Sequence, residues 1–137
     1  MLASIYAAAA SARRAYYQAP GRQRRLERPV ISVGNLRVGG SGKTPAAAHV
    51  ARILLEMGER PAILSRGYGR RFAPDGVVVV SDGRRLSADL GRSGDEPLML
   101  ARSVEGARVL VASDRYLAGR LAEVQLGATV HVLDDGF

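Results

Sequence analysis

Short apolar runs alternate along the chain with longer segments whose apolar residues recur at helical spacing. Pro29 to Val33 reads as a first strand. Ala46 to Met57 reads as a helix with Val50, Ile53, Leu54 and Met57 on one face. Arg60 to Ser65 is a second strand, and Val77 to Val80 a third that closes in an Asp82-Gly83 turn. Leu86 to Ser93 is polar and reads as a loop. A helix opens at Gly94-Asp95-Glu96-Pro97 and runs through Leu98, Met99, Leu100 and Ala101. Val109 to Ala112 is another buried strand. Ser113-Asp114 caps the next helix, whose apolar face is Leu117, Leu121 and Val124. Ala128 to Leu133 is the last strand and runs out into Asp134-Asp135-Gly136-Phe137. His131 within it reads as a packed histidine. The alternation predicts an α/β layered fold, with a mostly parallel sheet flanked by helices and no internal repeat.

The first residues follow a different pattern. Leu2, Ile5, Tyr6, Ala9, Ala12 and Tyr16 share one helical face, with Arg13 and Arg14 behind an alanine-rich run. The run is too short to span a bilayer, which takes about 20 apolar residues. Its charges follow the apolar stretch instead of preceding it, which does not fit a signal peptide. Two readings stand side by side: an amphipathic helix lying in a membrane interface, with arginines reaching lipid phosphates, or one docked on the domain. Gln18 to Arg28, with Pro20, Gly21 and clustered arginines, reads as a polar connector. Residues 1–28 are thus set apart from a core domain over 29–137.

Composition narrows the chemistry. The 137 residues suffice for one domain, and 47% hydrophobic with 24% charged residues is a globular balance. The absence of cysteine excludes a disulfide scaffold, a thiolate zinc site and a cysteine nucleophile. A formal net charge of +7 points to nucleotide phosphates, an anionic lipid surface or nucleic acid. No basic-aromatic interleaving or nucleic-acid motif accompanies it, so nucleic acid is not expected as a partner.

Val38-Gly39-Gly40-Ser41-Gly42-Lys43-Thr44-Pro45 lies between the first strand and its helix, where a phosphate-binding loop belongs. Glycines let the backbone N–H groups converge on phosphate oxygens, and the helix N-terminus adds partial positive charge. The expected nucleotide-binding residues are Arg37, Val38, Gly39, Gly40, Ser41, Gly42, Lys43 and Thr44. Lys43 would reach the outer phosphates and the Thr44 hydroxyl would sit on Mg²⁺. The full G-x-x-x-x-G-K-[ST] pattern wants glycine where Arg37 stands. Pro45 suits a first helical turn but biases Thr44 away from helical angles. Lys43 is the sole lysine of the chain. A compact ammonium kept only there suggests a need the planar guanidinium does not meet.

Three other stretches carry candidate chemistry. Arg66-Gly67-Tyr68-Gly69-Arg70-Arg71 is a basic loop after a strand, where open α/β sheets gather ligands; it is otherwise a solvated turn. Asp95 is either the cap of its helix, the reading favoured locally, or a catalytic carboxylate at a helix start. Asp134 and Asp135 end an apolar strand, as the acidic partner of a P-loop does when it approaches Mg²⁺.

Taken in order, Ser32-Val33-Gly34-Asn35, the loop through Lys43-Thr44-Pro45, Leu64-Ser65-Arg66-Gly67-Tyr68-Gly69, Gly94-Asp95-Glu96-Pro97 and Leu133-Asp134-Asp135-Gly136-Phe137 resemble the tetraacyldisaccharide 4′-kinase family of Gram-negative bacteria. The missing first P-loop glycine is shared with that family. The resemblance implies a P-loop NTPase-like fold and ATP with Mg²⁺. It implies γ-phosphoryl transfer to the 4′-hydroxyl of a tetraacyldisaccharide 1-phosphate, a lipid A precursor. It also implies attachment to the anionic cytoplasmic face of the inner membrane. By this resemblance Asp95 is the catalytic base, which reverses the local reading. Thr44, Asp134 and Asp135 serve the metal, and Arg66, Tyr68 and Glu96 are expected at the substrate or its phosphates. The family continues well beyond this length, normally with Gln-His after the final motif. The chain is therefore expected to be an inactive N-terminal part, lacking the second lobe and a histidine that partners the aspartate. The alternatives are another P-loop enzyme, against which the absence of an Asn-Lys-x-Asp motif speaks for GTPases, and a membrane-bound nucleotide-binding adaptor without catalysis.

Overall fold

Strands Val30–Val33 (β1), Pro61–Ser65 (β2), Val78–Asp82 (β3), Arg108–Val111 (β4) and Val130–Asp134 (β5) alternate with helices Leu2–Gln18 (α1), Lys43–Glu56 (α2), Asp95–Ser103 (α3) and Arg115–Gln125 (α4). This is a computed structural model, and it describes residues 2–18, 24–34, 43–66, 76–87 and 93–134. The strands form one sheet in the order β1-β5-β2-β4-β3. β1, β5, β2 and β4 run parallel, and β3 is antiparallel to β4. The mostly parallel sheet flanked by helices is as the alternation predicts. Boundaries differ slightly: the third strand extends to Asp82, and the last one takes in Asp134. Leu86, read as loop, makes an isolated bridge to Ser81.

Helices cover both faces of the sheet, so successive strand residues feed two separate cores. Ile63, Val109, Val111, Val130 and Val132 meet α2 and α3 on one face. Ala62, Leu64 and Leu110 meet α4 on the other. This double burial is why β2 is buried at every position.

The faces that α2 and α4 bury only partly coincide with the ones their large residues mark: Leu54 is buried, and Val50 and Leu121 pack against the cores. In α2, Ala47, Ala48, Ala51 and Leu54 are buried, while Ile53, and Met57 just past the helix end, are 43% and 69% exposed. In α4, Ala118, Gly119 and Ala122 are buried, while Leu117 and Val124 are 48% and 69% exposed. Both helices press small residues onto the sheet, which allows close approach. Reading the stripe by side-chain size therefore finds one side of each buried face and misses the small residues at its centre.

The connector is more than a solvated tether. Leu26 packs with the α4-side core, and it lies so near Gly119 that a Cβ there would stand 2.6 Å from Leu26 Cδ1. Glycine at 119 makes the seat for this leucine. The Arg28 N–H donates to Glu123 at 2.7 Å, and the Glu27 N–H donates to the same carboxylate at 3.4 Å. Glu123 also lies 3.1 Å from Nε2 of His131, which is fully buried on β5. Burial pushes the Glu123 carboxyl up, but the His131 contact and the two backbone donors outweigh it, and the net shift is downward. His131 is thus a packed histidine, tied to the strap that crosses α4.

Candidate functional site

The register puts Val33, Asp134, Ser65, Val111 and Val78 at one level, which is the C-terminal edge of the four parallel strands. In an open α/β sheet this is the edge where ligands bind. α2 follows β1, so it starts at that edge with Lys43. α3 leads into the opposite end of β4 and contacts β3, β4 and α2, so its N-terminus also faces the edge. Topology therefore brings the starts of α2 and α3 together with the end of β5.

Lys43, Thr44 and Pro45 form the first turn of α2. Pro45 is accommodated there, where a missing N–H leaves no helix bond unmade, and Thr44 is helical despite preceding a proline. Arg37, Val38, Gly39, Gly40, Ser41 and Gly42 lie outside the described residues, as do Tyr68 and Asp135. Arg66 follows β2 directly and is exposed.

Asp95 does not cap its helix. The cap position belongs to Gly94, whose φ of 88° and ψ of 170° suit only glycine without strain. Asp95 is the first helical residue and is exposed, as is Glu96 beside it. Both carboxylates favour a helix N-terminus electrostatically, but neither is committed to closing it. A surface recess of about 500 Å³ opens from Asp95 along Leu98, Met99, Arg102 and Ser103. The local sequence reading missed this because it weighed only Asp as a capping residue; the glycine immediately before it was the available signal.

Asp134 is only 3% exposed at the end of β5, level with Val33. A carboxylate this deeply buried needs a cation or donors to hold its charge. The described residues contain no cluster of three or more metal-ligating side chains. Hydroxyl and carboxylate oxygens from Thr44, Asp134 and Asp135 are the donor chemistry that Mg²⁺ takes, since it keeps several waters and needs few protein ligands. Of these, the described Asp134 carboxylate is of the oxygen-donor type the ion takes.

Comparison with known proteins agrees with the fold. The family model for tetraacyldisaccharide-1-P 4′-kinase matches residues 1–137. A tetraacyldisaccharide 4′-kinase of Pelobacter propionicus is 53% identical over 116 residues, which is 85% of this chain and 32% of the relative. One from Geobacter sulfurreducens is 49% identical over 123 residues, 90% of this chain and 35% of the relative. The crystal structure of LpxK from Aquifex aeolicus in complex with ATP matches with a TM-score of 0.76 and 40% identity, covering 90% of this chain and 38% of that one. The chain spans about a third of the length of the relatives it matches.

Proposed function

The chain belongs to the tetraacyldisaccharide-1-P 4′-kinase family, and from that premise we propose that it is the ATP-binding part of an enzyme that phosphorylates the 4′-hydroxyl of a tetraacyldisaccharide 1-phosphate. The observation that carries this is the convergence of Lys43, Asp95 and Asp134 at one sheet edge through three separate elements. Backbone N–H groups from Gly39 to Thr44 cradle the phosphates, with Arg37 and Val38 at the loop's entry. Lys43 holds the γ-phosphoryl group and stabilises the charge that builds on it. Asp95, exposed and free of capping duty, orients the 4′-hydroxyl and takes its proton. The 4′-oxygen then bonds to the γ-phosphorus as the bond to the bridging oxygen breaks and ADP leaves. Thr44, Asp134 and Asp135 would hold Mg²⁺, which when bound would offset charge on the phosphate oxygens. Arg66, Tyr68 and Glu96 line the acceptor side.

The substrate is a lipid, and α1 suits a lipid surface. Ile5 and Tyr16 are 64% and 54% exposed on it, and none of its described residues is buried. No helix among the described residues is long and apolar enough to cross a membrane. We read α1 as lying in the headgroup region of the inner membrane's cytoplasmic face, with an anionic surface as partner and no nucleic acid.

The test is to supply γ-labelled ATP and the tetraacyldisaccharide to the protein in a full-length setting. Label should appear on the 4′-oxygen and require Mg²⁺. Nucleotide bound with no label transferred would favour an adaptor instead.

A further inference from the structure

Arginines gather at a second place, on the α4 side of the sheet. Arg24, Arg25, Arg28 and Arg115 line one cleft of about 470 Å³. Its apolar walls are Leu26, Val30 and Leu133. Tyr116 completes it, with the Arg24 guanidinium carbon 4.8 Å from its ring centroid.

The cleft is built before any ligand arrives. Arg24 donates twice to Asp114, at 2.7 and 3.2 Å, and this hydrogen bond, with help from the backbone N–H groups of Leu117 and Tyr116, holds the Asp114 carboxyl below the usual carboxylate range. Asp114 caps α4 through those same two N–H groups. Leu26 is seated against Gly119, and the backbone at Glu27 and Arg28 is fixed on Glu123. Arg25 and Arg28 are therefore exposed side chains on an anchored backbone. The nearby acids are engaged: Glu27 and Glu123 both pair with Arg120, at 3.3 and 3.2 Å.

We propose that this cleft seats the phosphate headgroup of an anionic membrane lipid, as a second bilayer contact beside α1. The proposal rests on the membrane reading of α1. Charge complementarity names the ligand: the exposed guanidiniums of Arg25 and Arg28 suit a phosphodiester, and planar donors bind its oxygens in pairs. The apolar walls suit the glycerol and first acyl carbons below it, and a tyrosine belongs at headgroup depth. The chain also connects the two contacts, since the connector carrying Arg24, Arg25 and Arg28 follows α1 directly. Leu133 in the cleft wall immediately precedes Asp134, so a lipid seated here would hold the phosphate-binding edge close to the bilayer.

The experiment is vesicle binding by the full chain, using phosphatidylcholine alone and phosphatidylcholine with phosphatidylglycerol. Four proteins are compared: wild type, Arg25→Glu with Arg28→Glu, Arg84→Glu with Arg85→Glu, and Ile5→Asp. Arg84 and Arg85 are exposed in the turn after β3, at the opposite sheet edge, and make a charge-matched control. The cleft variant should lose at least about tenfold in binding to anionic vesicles, given the usual effect of each basic residue at such a surface, and keep its binding to neutral ones. The control should lose less than about threefold, and Ile5→Asp should weaken binding to both. Equal losses in the two double variants would overturn the proposal in favour of net charge alone. A loss with Ile5→Asp and none in the cleft variant would also overturn it, leaving the α1 reading intact. No binding by wild type to either vesicle would overturn both readings together.

Discussion

Lys43→Ala, placed in the full-length enzyme, should abolish phosphoryl transfer while the melting curve stays where it was. Lys43 opens α2 at the C-terminal edge of the sheet, where its ammonium would lie against the transferred phosphoryl. A single well-placed donor to developing negative charge is worth about 10²–10³ in turnover, roughly 3–4 kcal/mol of barrier, and a full charge in a water-excluded site is worth at least that. Lys43→Arg separates charge from shape. The chain uses arginine at every other lysine-or-arginine position, so a guanidinium would be present already if it served. Its planar fork cannot occupy the space of a compact ammonium, and Lys43→Arg should remain at least about tenfold below wild type. Near-normal phosphorylation by Lys43→Ala would remove the P-loop assignment.

Asp95→Asn should keep the melting temperature and ATP affinity and lose at least about 10²-fold in turnover, the usual cost of removing a general base. The structure sharpens this test. Gly94, not Asp95, occupies the cap position, so the substitution removes no cap from α3. Asn retains the shape and loses the ability to accept a proton, along with a surface charge whose effect on the helix dipole is small beside the expected loss of turnover. The measurements are a melting curve, an ATP titration and a kinase assay on the same preparation. Unchanged turnover would leave Asp95 as a surface charge that favours the helix dipole.

Much of this architecture is written in the local sequence. The strands at Pro61–Ser65 and Arg108–Val111 are legible because burial on both faces demands unbroken apolar runs. The Asp114 cap is legible because its side chain answers backbone N–H groups two and three residues ahead. What local sequence conceals is decided by packing between distant segments. Ala47, Ala51, Ala118 and Ala122 face the sheet since small residues permit close approach, and no size-weighted pattern marks them. Leu26 reads as a lone apolar residue in a basic linker until Gly119, far along the chain, is brought beneath it. At the site, the loop and Lys43-Thr44 are visible in sequence since their spacing is local. Asp95 was misread there as a cap, because the glycine that takes that role does so through a backbone angle. The burial of Asp134 required the register of β5 against β1.

The most direct measurement is the 4′-kinase activity of a chimera in which this chain replaces the matching third of a family member, such as the Pelobacter propionicus relative. The expected result is Mg²⁺-dependent transfer of the ATP γ-phosphoryl to the 4′-oxygen of the tetraacyldisaccharide 1-phosphate. A folded chimera that binds ATP and forms no such product would contradict it.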